Sequence, residues 1–144
     1  MFTFVQPKHK AMFTETIPVA KKILIVDDEE DILEFLSYHF KKNNYEVFTS
    51  LDGLGALSLT FEQRPDIIIS DIRMPVMDGI EMCRTIKEDE RLKNIPLLFL
   101  TADDGEYVAL LAHQCGADFY LNKPVKVNVI VSVVNSLVNQ NAIN

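Results

Sequence analysis

From Lys21 onward the chain alternates short apolar runs with longer amphipathic stretches. Ile23 to Val26 is an unbroken apolar run, the pattern of a parallel strand buried on both faces. The stretch after it, EEDILEFLSYHFKKNN, sets Ile32, Leu33, Leu36 and Phe40 at helical spacing. It ends in lysines, which complement a helix dipole. YEVFTS then reads as a strand, and DGLGALSLTFEQR as a helix stopped by Pro65. PDIIISD supplies a third strand around Ile67, Ile68 and Ile69, and RMPVMDG a loop marked by proline and glycine. IEMCRTIKEDERLKN is the next helix and IPLLFLTA the fourth strand. DGEYVALLAHQCGA is a helix with Gly116 as its stop, and DFYLNK is the fifth strand.

The last stretch, VKVNVIVSVVNSLVNQ, carries two opposed signals. Val125, Val127, Val129, Val131, Val133 and Val134 favour a strand by propensity. The place in the alternation, just after Pro124, calls for a covering helix, and Ile130, Val133, Val134, Leu137 and Val138 form a helical stripe. A helix is therefore expected, with tertiary context overriding propensity. Five strands alternating with five helices, in units of about 20–25 residues, imply right-handed crossovers and an α/β sheet covered on both faces. In such doubly wound sheets chemistry gathers beyond the carboxyl ends of the strands, where the strand order reverses.

Composition narrows the picture. The 144 residues suit one core-bearing domain. Cys83 and Cys115 have no CxxC or ladder spacing, so reduced thiols and a cytoplasmic setting are expected. No apolar run is long enough to span a bilayer, and Pro7 and Pro18 interrupt any signal-like segment, so no membrane association is expected. The net charge is −7; residues 1–20 hold Lys8 and Lys10 against Glu15, which leaves −8 on the rest. An acidic domain gains nothing from a phosphate backbone, so direct nucleic-acid binding is excluded from the expectation.

The expected strands end in an unusual set. Asp27 and Asp28 end the first, Asp71 the third, Thr101 the fourth and Lys123 the fifth. Singly each has a plain reading: the acids as helix caps, the threonine as a strand end, the lysine as a solvated side chain. Together they bring three carboxylates to one edge, which repel unless a cation neutralises them or one stays protonated. Oxygen donors with room for water suit Mg²⁺ or Mn²⁺ better than zinc.

ILIVDDEEDI, DIIISDIRMPVMDGIE, LLFLTA and GADFYLNKPV, taken in order and at this spacing, resemble the receiver domain of two-component response regulators, including its chemotaxis members. The resemblance spans residues 21–140, with residues 1–20 as a flexible extension and 141–144 as a tail. It implies a flavodoxin-like sheet of order 2-1-3-4-5. It implies Asp71 as the phosphoacceptor, loaded by a sensor histidine kinase or a phosphotransfer protein. Asp28, Asp71 and the Arg73 backbone carbonyl are implied as metal ligands, with Asp27 acting through water. Lys123 and Thr101 are implied as phosphoryl contacts, and Tyr120 with Thr101 as the switch pair. A cis Lys123–Pro124 bond and a partner face on the fourth helix, fifth strand and fifth helix follow from the same resemblance. That face runs from Tyr107 to Ala112, with Tyr120 and the start of the fifth helix.

Three readings come from the side chains themselves. Gly79 gives backbone shape at a helix entry, and Asp78 a cap. Arg73 and Asp103 stand two residues beyond Asp71 and Thr101, so they flank the site and pair across it, modulating access of water. Rivals fit less well: a haloacid-dehalogenase-like phosphatase wants a second acid where Arg73 stands, and a nucleotide-binding domain would not place DDEED after its first strand. A stand-alone receiver, not itself an enzyme but catalysing its own phosphorylation and dephosphorylation, is expected. A fragment of a larger regulator or hybrid kinase is the alternative.

Overall fold

The computed structural model describes residues 19–143, in which strands and helices alternate strictly: β1 (Lys21–Val26), α1 (Glu30–Lys42), β2 (Tyr45–Ser50), α2 (Gly53–Gln63), β3 (Ile67–Ser70), α3 (Gly79–Glu88), β4 (Leu97–Thr101), α4 (Glu106–Gln114), β5 (Phe119–Asn122) and α5 (Val127–Ile143). The expected flexible extension lies, up to position 18, outside the described residues. All neighbouring strands pair in parallel, in the order β2-β1-β3-β4-β5. This is the flavodoxin-like doubly wound sheet, and its order reverses between β1 and β3. Val26 pairs with Ser70, so Asp27 and Asp71 leave their strands side by side.

Two apolar layers hold the sheet. Leu24, Val26, Ile68, Leu97 and Phe99 face Ala56 of α2, Ile80, Met82, Cys83 and Ile86 of α3, and Ala112 of α4. Their strand neighbours Ile23, Ile25, Ile67, Ile69, Leu98 and Leu100 face Leu33, Leu36 and Phe40 of α1 and Ile130, Val134 and Val138 of α5. Because both faces are covered, polarity does not alternate along the strands, as the flat apolar runs implied.

The valine-rich segment is a helix. Ile130, Val134 and Val138 are buried at four-residue spacing, whereas a strand would have buried alternate valines and Val129 is instead 40% exposed. α5 continues to Ile143, into the stretch expected as a tail. One boundary differs more: α3 stops at Glu88 rather than continuing to Asn94. Asp89 is extended (φ −94°, ψ 125°), and its carboxylate accepts the Arg91 N–H at 2.8 Å. That local bond competes with the helix ladder. Gly116 follows α4 with φ +95°, the stop read from the sequence. Lys123–Pro124 is cis. Cys83 and Cys115 are buried free thiols. Among the described residues no helix is long and apolar enough to cross a membrane.

Candidate functional site

The carboxyl edge of β1 and β3 gathers the charged residues. One carboxylate oxygen from each of Asp27, Asp28 and Asp71 lies within 4.8 Å of the others. Asp27 is buried, Asp71 half-buried and Asp28 exposed, so the trio opens outward from the sheet. Asp27 Oδ1 accepts the Glu29 N–H at 2.9 Å, and its Oδ2 accepts Lys123 Nζ at 3.0 Å. Lys123 Nζ also lies 3.5 Å from Asp71 Oδ2. The ammonium therefore bridges two of the three acids from the end of β5.

Asp71 is fixed through its main chain. Its N–H donates to the Val26 carbonyl at 2.9 Å, its own carbonyl accepts the Ser70 hydroxyl at 2.6 Å, and its Oδ1 accepts the Ile72 N–H at 2.7 Å. Gly79 N–H, at the start of α3, donates to the Ile72 carbonyl at 2.8 Å. Asp78 caps α3 by accepting the Glu81 N–H at 2.9 Å. The loop after β3 is thus tied to a strand on one side and a helix entry on the other.

On the far side, Thr101 is buried and its Oγ1 accepts the Asp103 N–H at 3.2 Å. The Arg73 guanidinium donates to Asp103 Oδ2 through Nε at 2.9 Å and Nη2 at 2.5 Å. Asp71, Arg73, Thr101, Ala102 and Asp103 line a pocket of 280 Å³. A larger groove of 860 Å³, against Lys21, Tyr45 and Asn135, lies at the opposite, amino end of β1 and β2, away from these acids. Tyr120 packs half-buried against the α2–α4 layer, and its hydroxyl donates to the Asp103 carbonyl at 2.6 Å.

Electrostatics follow the geometry. Burial pushes the Asp27 carboxyl above its ordinary value, only partly opposed by the Glu29 N–H and Lys123. Burial alone would lower Lys123, but the Asp27 and Asp71 carboxylates outweigh it and its pKa is raised. Asp103 is held below the usual carboxylate range by the Gly105 N–H and then by Arg73.

Every residue singled out from the sequence at this edge lies at or beside it, and the Arg73–Asp103 pair forms. Ala112, read as part of the partner face, instead turns into the core at 2% exposure. Sequence reasoning passed over Ser70, which anchors the Asp71 carbonyl, and Asn122, whose amide donates to the Asp103 carbonyl at 2.9 Å. Ser70 had a signal, being the one hydroxyl closing a run of isoleucines; Asn122 had only its place beside Lys123.

A doubly wound sheet with acids, a hydroxyl and an ammonium gathered at one edge is an architecture shared with a known domain family. The chain belongs to the response regulator receiver domain family, which it matches over residues 23–135. It is 37% identical over 123 residues to the alkaline phosphatase synthesis transcriptional regulatory protein PhoP of Bacillus subtilis (strain 168), covering 85% of this chain and 50% of that protein. It therefore spans about half the length of that curated relative. The solved receiver domain of a signal transduction histidine kinase from Syntrophus aciditrophicus superposes with a TM-score of 0.80 at 35% identity, covering 84% of this chain and 92% of that one. The chemotaxis response regulator CheY4 of Vibrio cholerae gives 0.77 at 31% identity, covering 83% and 99%. Response regulators receive phosphoryl groups from histidine kinases, and their receivers are signalling domains.

Proposed function

We propose that Asp71 accepts a phosphoryl group from a sensor histidine kinase or a phosphotransfer protein, and that the change is read on the face formed by α4, β5 and α5. The observation carrying this reading is Lys123 Nζ, 3.5 Å from the Asp71 carboxylate and 3.0 Å from that of Asp27, on an edge completed by Thr101. An Asp71 oxygen attacks phosphorus, the P–N bond to the donor imidazole breaks with its electron pair returning to nitrogen, and an acyl phosphate forms. The moving group spreads negative charge over its equatorial oxygens. Lys123 meets that charge with its ammonium. Thr101, whose oxygen already accepts the Asp103 N–H, keeps its own proton for a phosphoryl oxygen.

The acidic trio fits a hard divalent cation, because every side chain it presents is a carboxylate and one side faces solvent. Asp28, Asp71 and the Arg73 carbonyl would hold Mg²⁺, or Mn²⁺ in its place, with Asp27 acting through water, and the ion would supply positive charge in addition to that of Lys123. The same chemistry makes the domain self-catalysing in phosphorylation and dephosphorylation without making it an enzyme on a diffusing substrate. Asp103 and Arg73 modulate the second step.

Residues 21–140 form the receiver in this reading, working in the cytoplasm. Its partner meets Tyr107, which is 71% exposed, together with Leu110, Phe119 and Val129. α5 carries no charged side chain, so recognition there is apolar and amide-like. Stand-alone signalling is our first reading. A receiver within a longer regulator or hybrid kinase draws support from the half-length match to the Bacillus protein, and the mass of the protein in its native source separates the two.

Incubation with acetyl phosphate and Mg²⁺, followed by intact mass, tests the acceptor. Wild type gains one phosphoryl group, about 80 Da, and Asp71→Asn gains none. A wild type that stays unmodified overturns the reading.

A further inference from the structure

Asp103 is the node of the connection between β4 and α4. Its main-chain carbonyl accepts both the Tyr120 hydroxyl at 2.6 Å and the Asn122 amide at 2.9 Å. Its N–H donates to Thr101 Oγ1 at 3.2 Å. Its carboxylate accepts Gly105 N–H at 3.0 Å on one oxygen and Arg73 Nε at 2.9 Å on the other. A carbonyl oxygen has two lone pairs, so Tyr120 and Asn122 are served together rather than in turn.

The sheet explains why these two donors converge. Phe99 pairs with Tyr120 and Thr101 with Asn122, so both lie on one face of β5, separated by Leu121 on the other. Leu121 packs in the α1–α5 layer and Tyr120 against the α2–α4 layer. Asn122 is exposed and Arg73 is exposed, so neither is needed to fill the core. Their visible work is to hold one loop from two directions: Asn122 from β5, Arg73 from the segment after β3.

Resting on the phosphoacceptor reading above, we propose that Asn122 is a positioning residue. It fixes the Asp103 carbonyl and thereby sets how firmly Tyr120 is held, and how freely Thr101 moves toward a phosphoryl group on Asp71. Arg73, through the Asp103 carboxylate, is the second tether. The switch is thereby biased through the Asp103 main chain, one step removed from Asp71.

The test reads Tyr120 directly in the unmodified protein. The chain has four tyrosines, so with fluorotyrosine incorporated its resonance is assigned by its loss in Tyr120→Phe. Asn122→Leu keeps the size and removes the donor. It is expected to change the ratio of held to released Tyr120 by about two- to tenfold, the effect of one neutral hydrogen bond. Arg73→Ala is expected to move the same resonance in the same direction. A Tyr120 resonance in Asn122→Leu identical to wild type overturns the proposal. Failure of wild type to take a phosphoryl group, with the Tyr120 response intact, removes the acceptor reading and leaves the tether. Normal phosphorylation with no Tyr120 response removes the tether alone.

Discussion

Arg73 and Asp103 pair beside Asp71 and Thr101 in the lining of the 280 Å³ pocket, which on the proposed reading sets their ion pair in the path of water reaching an acyl phosphate. Arg73→Ala and Asp103→Ala are each expected to shorten the life of phosphorylated protein severalfold, followed as the decay of the mass gain. The effect stays modest because the pair is exposed and yields to solvent; decay at the wild-type rate would remove the shielding role. This pairing was legible in the sequence, because residues two past Asp71 and two past Thr101 leave neighbouring parallel strands at the same edge of a doubly wound sheet. The roles of Asn122 and Ser70 were not legible, although Ser70 stood out as the hydroxyl closing a run of isoleucines. Their work is to bond main-chain carbonyls, and such bonds depend on loop path, which side-chain spacing does not encode.

Helix entries and exits decide how the strand ends are aimed. A Cβ at Gly79 would collide with the Asp71 carbonyl oxygen and come within 2.9 Å of Phe99 Cε1 and 3.0 Å of Ile72 Cα. The glycine is there for close approach of α3 to the Asp71 main chain, a finer reason than the general backbone shape the sequence suggested. Gly79→Ala is expected to cost about 1–3 kcal/mol in denaturant unfolding, as overpacking does. It should also slow loading from acetyl phosphate, since Asp71 has to shift; unchanged stability would mean the helix relaxes freely. At the other end of α3, Lys87 Nζ donates to the Ile95 carbonyl at 2.7 Å and to Asp118 Oδ2 at 2.8 Å, while Asp118 Oδ2 also accepts the Leu97 N–H at 2.8 Å. This joins α3 to the starts of β4 and β5. Lys87→Met is expected to lose about 1–3 kcal/mol, measured in the same unfolding assay, because charged hydrogen bonds go unreplaced; a wild-type midpoint would show the staple is dispensable. Nothing in IKEDERLKN marks Lys87 apart from a solvated helix-end lysine. Nor did that stretch reveal the early stop at Glu88, which turns on the Asp89 carboxylate choosing the Arg91 N–H. By contrast the strands, their order by resemblance and the valine-rich helix were all readable, because burial on both faces writes itself into composition.

Across the whole molecule the acidic edge sets stability against function. Asp27 has its folded pKa raised above the ordinary 3.8, chiefly by burial, so the folded state holds that proton more tightly than the unfolded chain. Its contribution is fully present below 3.8 and is lost as pH rises through the folded value. Lys123 is raised above 10.5, so its contribution persists across neutral pH and fades only above that. Between these limits the metal-free fold carries Asp27 as a buried charge beside Asp71, offset by a single ammonium. Mg²⁺ binding only the folded trio should therefore stabilise the protein, by about 2.7 kcal/mol at a hundredfold excess over Kd. Protons compete for the Asp27 carboxylate, whose pKa is raised, so the gain should be smaller at about pH 4.5 than at about pH 7 and nearly vanish in Asp28→Asn. Thermal unfolding with and without Mg²⁺ at the two pH values reads this directly. An equal Mg²⁺ effect at both, or one retained in Asp28→Asn, would place the ion elsewhere on an acidic surface. A gain confined to the intact trio at neutral pH would tie the charge imbalance of this edge to a bound cation.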